Sequence, residues 1–123
     1  MFEKDLKNDR IETLIGEKCS IKGNLKGQGL LKLDGLMDGN IDWQEDLIIG
    51  ASCKIKGNIS CCNAFVSGYV DGNIICANTL IIECTGKVKG DITVKNVIIR
   101  EGGWLDGKCN MIVEKNSKEV FDN

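Results

Sequence analysis

One local pattern, a hydrophobe, a charge, a glycine, a polar residue and a hydrophobe, recurs six times in 123 residues. It reads SIKGNLK at 20–26, MDGNID at 37–42, CKIKGNIS at 53–60 and VDGNII at 70–75, then VKGDIT at 88–93 and LDGKCN at 105–110. The anchoring glycines are Gly23, Gly39, Gly57, Gly72, Gly90 and Gly107, so the steps are 16, 18, 15, 18 and 17. A repeat this short has no room for a helix pair. It has room for two or three short strands and their turns.

Two residues before each anchor stand Ile21, Met37, Ile55, Val70, Val88 and Leu105. Two after it stand Leu25, Ile41, Ile59, Ile74, Ile92 and Cys109. The residues between them are polar. Alternation with period two marks a strand with one buried face. A denser apolar run precedes most copies: TLIG at 13, LIIG at 47, LII at 80 and VII at 97, with LLKL at 30 and AFV at 64 as weaker versions. These also read as strands. Four residues before each anchor every side chain is small: Cys19, Gly35, Cys53, Gly68, Gly86 and Gly103. A bend there would leave no space for a larger one. The anchor glycine fits either a corner or a point where the wall pinches inward.

The expected architecture is an all-β solenoid of about six coils. Successive coils stack as parallel strands roughly 4.8 Å apart, so the stack spans about 25–30 Å. No coil can bury its apolar side alone, and stacking is the stabilising event. The residue before each anchor alternates in sign: Lys22, Asp38, Lys56, Asp71, Lys89, Asp106. In a stack these charges stand side by side, and a slip of one coil would bring like charges together. Their contribution is to register more than to energy, since exposed pairs are worth at most about 1 kcal/mol.

Composition removes several function classes. The chain has no His, so neither the acyltransferases of the left-handed hexapeptide helix, which use a catalytic His, nor its three-His zinc enzymes are matched. IGEKCSI at 15 and IGASCKI at 49 fit one hexapeptide step, but the phase breaks at Leu25 and Ile59. A net charge of −2 gives no global basic surface for nucleic acid. No phosphate-binding glycine loop points to a nucleotide, and no calcium-binding nonapeptide is present. The Asp-Gly pairs at Asp34, Asp38, Asp71 and Asp106 are explained by turn chemistry. No catalytic constellation, metal site or cofactor is expected, and the chain does not read as an enzyme. No run approaches the roughly 18 apolar residues of a membrane helix, and no signal peptide is visible.

Seven cysteines without a secretory signal suggest free thiols in a reducing cytoplasm. Cys61 and Cys76 fall four residues after their anchors, where Trp43, Val94 and Met111 also fall, so they point inward. Cys109 takes an inward position, and Cys19 and Cys53 take the small bend position. All are expected as small buried hydrophobes, with Cys61 and Cys76 near each other on adjacent coils.

A solenoid ends in two coils with unpaired edges and open apolar interiors, which natural repeats either cap or use for assembly. No capping helix is evident at 1–12 or 112–123. The polymer interface is expected at Trp104, Leu105 and Met111 in the last coil and at Leu14 and Ile21 in the first. Head-to-tail stacking would set Lys22 against Asp106; head-to-head and tail-to-tail contacts also fit.

The segments IGEKCSIKGNL, LKLDGLMDGNI, LIIGASCKIKGNI, VSGYVDGNI, KVKGDI and LDGKCNM, in this order, resemble the bactofilins, polymer-forming cytoskeletal proteins of bacteria. The resemblance spans 13–111, about four fifths of the chain. It implies a right-handed β-helix of triangular cross-section that assembles end to end without nucleotide. It also implies a scaffold at the inner face of the membrane that supports cell shape or local cell-wall synthesis. The partners would be further copies of the chain, membrane lipid and peptidoglycan-synthesis or -remodelling proteins. The family's last-coil aromatic, at a polymer contact, matches Trp104. MFEK looks like the start of a membrane-targeting segment, with Met1, Phe2 and Lys4 as the lipid-binding residues. The expected division is a tail at 1–12, a β-helical domain at 13–111 and a short tail at 112–123. The absence of Pro and the abundance of Cys depart from the family pattern. The alternative function is a non-polymerising solenoid adaptor that binds a partner protein on one strand face.

Overall fold

Each repeat contributes three inward side-chain pairs or single residues, and each set becomes one wall of a coil. A computed structural model describes residues 13–112, and all its regular elements are strands. The first coil holds β1 (Thr13–Ile15), β2 (Ser20–Lys22) and β3 (Leu25–Gly27). The second holds β4 (Leu31–Leu33), β5 (Leu36–Asp38) and β6 (Ile41–Trp43). The third has β7 (Asp46–Ile49), β8 (Lys54–Lys56) and the start of β9 (Ile59–Val66). The fourth takes the rest of β9, then β10 (Tyr69–Asp71) and the start of β11 (Ile74–Ile82). The fifth continues β11, then β12 (Lys87–Lys89) and the start of β13 (Ile92–Ile99). The sixth ends with β14 (Trp104–Asp106) and β15 (Cys109–Met111).

All pairings are parallel, each strand lying on its equivalent one coil away. The second wall is a six-stranded sheet in the order β14-β12-β10-β8-β5-β2. The first and third walls join into one sheet of nine strands, because β9, β11 and β13 run through the corner between them. The molecule is thus a parallel β-solenoid of six coils with three walls, as the repeat spacing requires.

The inward columns are those set by the anchors. Met37, Ile55, Val70 and Val88 stack on the second wall, and Ile41, Ile59, Ile74 and Ile92 on the third. Leu33, Ile49, Val66 and Ile82 stack on the first. All of these are buried, and no polar or charged residue among the described ones is. The lower corner of the third wall carries Gly27, Trp43, Cys61, Cys76, Val94 and Met111 in one column. Here a size mismatch is resolved inside the column. A side chain on Gly27 would run into the Trp43 ring, whose Cζ3 lies 2.8 Å from that position. The indole fills the space Gly27 leaves, and its Nε1–H donates to the Gly29 carbonyl at 2.7 Å. Trp43 therefore plugs the first coil from the second.

The anchor glycines sit at the corner between the second and third walls, which resolves the two possibilities left by the sequence. Their φ angles run from +120° at Gly23 to +154° at Gly72 and Gly107, a region closed to most L-residues. In coils two to six the carbonyl of the glycine below occupies the place a Cβ would take. The next residue builds a ladder outside this corner. Asn24 Oδ1 accepts from the Asn40 amide, Asn40 from Asn58, Asn58 from Asn73, Asn73 from Asp91 and Asp91 from Lys108, at 2.9–3.1 Å. Lys108, in the last coil, offers no acceptor, so the ladder stops there.

The charges before the anchors lie in register on β2, β5, β8, β10, β12 and β14. Among the described residues they do not close into ion pairs; the pairs that form, Lys32–Asp34 at 3.0 Å and Arg100–Glu83 at 3.1 Å, lie elsewhere.

Two of the cysteine expectations are corrected. Cys53, Cys61 and Cys76 are buried, but Cys19 and Cys109 are exposed. Both occupy the columns expected of them. Both also lie in the end coils of the described residues, where no further described coil covers the inward direction.

Candidate assembly interface

At the C-terminal end the sixth coil offers the inward residues Val97, Ile99, Leu105, Cys109 and Met111. Their equivalents one coil earlier, Leu80, Ile82, Val88, Ile92 and Val94, are each 0 % exposed. Ile99 is 46 % and Met111 50 % exposed, while Val97 and Leu105 pack partly against the core. The same side chains that would be fully covered by a seventh coil are therefore open to solvent. The backbone repeats the message. Among the described residues β14 pairs only with β12, β15 only with β13, and Asn96–Ile99 only with β11. Three strand segments each have one edge that no described strand pairs.

The N-terminal end is the mirror in logic but not in shape. Among the described residues β1, β2 and β3 pair only with β4, β5 and β6. Ile15, Ile21 and Leu25 are half-buried against the core. Trp43 fills the corner beside them, against Gly27. Unpaired parallel edges above an open apolar interior form a template for another strand layer.

The five residues expected at the interface separate into two groups. Leu105, Met111 and Ile21 lie in inward columns of the end coils. Trp104 and Leu14 belong to end-coil strands but point outward, at 45 % and 61 % exposure. Trp104 stands above Lys87 on the outside of the second wall, and Leu14 above Lys32 on the outside of the first. They rim the ends and do not cover them. Ile99, the largest apolar addition at the C-terminal end, was legible as the sixth member of the Ile15 column once VII at 97 is set in register. Met1, Phe2 and Lys4 lie outside the described residues.

The buried thiols are packing groups. Cys61 and Cys76 face each other with their sulfurs 3.7 Å apart, a contact and not a bond. The hydrogen bond to Cys76, together with burial, pushes the Cys61 thiol far up. Burial, with the Asp34 carboxylate nearby, moves Cys53 from 9.0 up to about 12. Cys53 and Cys61 are therefore protonated packing groups at neutral pH. Among the described residues no group of three or more His, Cys, Asp or Glu side chains is placed to hold a metal, and no helix is long and apolar enough to cross a membrane.

The family model described as "Bactofilin: Polymer-forming cytoskeletal" matches residues 13–110, which are the coils just described. The chain belongs to the bactofilin family. It joins a family of polymer-forming cytoskeletal proteins, and its open-ended solenoid is the fold of solved bactofilins. It is similar to a phenylalanine-to-arginine mutant of the bactofilin from Thermus thermophilus, seen by crystallography, with a TM-score of 0.69 and 17% identity over 72% of this chain and 98% of that one. It is likewise similar to the Thermus thermophilus bactofilin reconstructed by cryo-EM as double helical filaments, with a TM-score of 0.70 and 17% identity over 79% of this chain and 98% of that one. A comparison with curated proteins finds no match.

Proposed function

We infer that this bactofilin is the subunit of a filament built by stacking end coils, with no nucleotide in the cycle. One observation carries the reading: both end coils leave apolar columns and strand edges uncovered among the described residues, Ile99 and Met111 most of all. Fully burying a large apolar side chain contributes about 1.5–3 kcal/mol, so half-exposed residues contribute about half of that each. Several per end, with three strand edges, can offset the roughly 4–15 kcal/mol cost of association. The double helical filaments of the Thermus thermophilus bactofilin support the reading by likeness of fold.

The filament is a scaffold at the inner face of the membrane, cytoplasmic and peripheral, that supports cell shape or local cell-wall synthesis. Peptidoglycan-synthesis or -remodelling proteins are its clients. Residues 1–12, with Met1, Phe2 and Lys4, provide the lipid contact. One such segment carries little apolar area, and a filament presenting many gains avidity. In vesicle pelleting, deletion of residues 2–8 should release the filaments; equal pelleting of both forms removes the idea.

Met111→Arg tests the polymer directly. The side chain lies at the open end, so the fold should survive with an unchanged circular-dichroism spectrum. Negative-stain microscopy without nucleotide should show filaments for the unsubstituted protein and dispersed subunits for the variant. Filaments in both would refute end stacking through this column.

A further inference from the structure

One pair of buried side chains carries chemistry that packing leaves unused. Cys61 ends the third coil and Cys76 the fourth, as Cα partners on the parallel strands β9 and β11. Their sulfurs lie 3.7 Å apart and both thiols are free. Cys61 is 5 % exposed and Cys76 0 %. Among the described residues no other two cysteines stand at equivalent positions of neighbouring coils. Packing alone asks only for a compact apolar group here, and Val94 supplies one in the next coil. The backbone suits a bond between the two sulfurs. Parallel neighbours lie about 4.8 Å apart, within the roughly 4.4–6.8 Å between Cα atoms that a disulfide spans. The sulfurs must still approach to a bond of about 2.0 Å. Slack for that movement is adjacent. Between Cys76 and Thr79, β11 has one residue more than β9 or β13, so the ladder is interrupted on both sides just after Cys76. A bulge of this kind bends and twists its strand locally.

We propose that Cys61 and Cys76 are a redox-sensitive staple: a disulfide between the third and fourth coils, made by a low-molecular-weight disulfide and undone by thiols. One cysteine loses its proton and attacks a sulfur of the small disulfide, whose other sulfur leaves as a thiolate and takes up that proton. The second cysteine, losing its own proton, attacks the protein sulfur of the mixed disulfide and expels the remaining small thiol. Two electrons pass from the cysteines to the small disulfide, which ends as two thiols. Trp43 lies one coil before Cys61 and Val94 one coil after Cys76, and both are buried. Exchange therefore waits for local opening of this corner and is slow. Coils one and two lie on one side of the pair and coils five and six on the other. The bond ties the middle of the subunit and leaves its ends as they are, so the stability of the fold, and not its assembly surface, answers to the surrounding thiol–disulfide balance.

The test uses the full chain and glutathione disulfide. Iodoacetamide first caps the accessible thiols, Cys19, Cys62, Cys84 and Cys109, on the folded protein. The protein is then held with glutathione disulfide in urea below its unfolding transition, unfolded, and labelled with N-ethylmaleimide. Mass spectrometry should show Cys61 and Cys76 joined, lighter by two hydrogens, free of glutathione and open to maleimide only after dithiothreitol. The bond closes a loop of 15 residues, so the unfolded-to-folded ratio at a given urea concentration should fall about a hundredfold, reversibly with dithiothreitol. Cys76→Val keeps the column filled and should lose both the bond and the shift, whereas Cys62→Ser should keep both. Maleimide on both cysteines, or glutathione held on either one, overturns the staple. So does a bond that brings no rise in stability, or one that disappears in Cys62→Ser. The unsubstituted protein decides the first three outcomes without any variant having to fold.

Discussion

Gly72 and Gly23 occupy the same corner in different coils, and only Gly72 has a neighbour where a side chain would go. A Cβ there would meet the Gly57 carbonyl, whereas nothing lies within 4 Å of the same point on Gly23. Both have positive φ, at +154° and +120°. Gly23→Ala should therefore cost about 1–2 kcal/mol from backbone strain alone. Gly72→Ala adds a collision with main chain that cannot move without opening the ladder, and should cost about 3 kcal/mol or more. Urea melts of the two variants measure the difference, and equal costs would show that the corner has slack. The buried thiols give a second test at this scale. Cys53 is raised from 9.0 to about 12 and Cys61 is raised as well, so both stay protonated in the fold while the unfolded thiols ionise. The folded state then holds more protons above pH 9, and stability falls as pH rises, by up to about 1.4 kcal/mol per unit for each thiol. The thiol contribution is intact below that pH. Melts of Cys53→Ala between pH 8 and 11 should show a shallower fall than the unsubstituted protein; identical slopes would mean that burial of Cys53 does not govern its titration.

Among the elements, the asparagine ladder ties coils together through side chains that no inward column predicts. Asn58→Leu removes the acceptor for the Asn73 amide, held at 3.0 Å. The group is exposed, so water replaces the bond, and the cost should be about 0.5–1.5 kcal/mol. Hydrogen exchange should speed at Asn73, whereas an unchanged rate there would mean that the side-chain bond does not protect the amide. This ladder was visible in the sequence only as polar letters after each glycine. The strands themselves were far more legible: positions two before, two after and four after the anchor supplied the inward columns of the second and third walls. Periodicity gives the direction of a side chain but not what lies beyond it. Cys19 and Cys109 point as expected and are exposed because the stack ends there. Likewise Trp104 was read as an end residue from its place in the chain, although a residue three before the anchor points outward. The partnership of Gly27 with Trp43 needed coordinates, since neither residue signals the other across 16 positions.

The whole molecule is a stack with no described cap, and its size along the stack is fixed by the strand spacing. Six coils at roughly 4.8 Å give a rise of about 29 Å per subunit if ends meet as coils meet inside the fold. Cryo-EM of filaments grown without nucleotide measures this rise. Coil-on-coil assembly predicts a strong meridional spacing near 4.8 Å and an axial repeat of about 29 Å, or about twice that if like ends face each other. Filaments whose strands run along the axis, or whose 4.8 Å spacing lies off the meridian, would contradict assembly through the open ends.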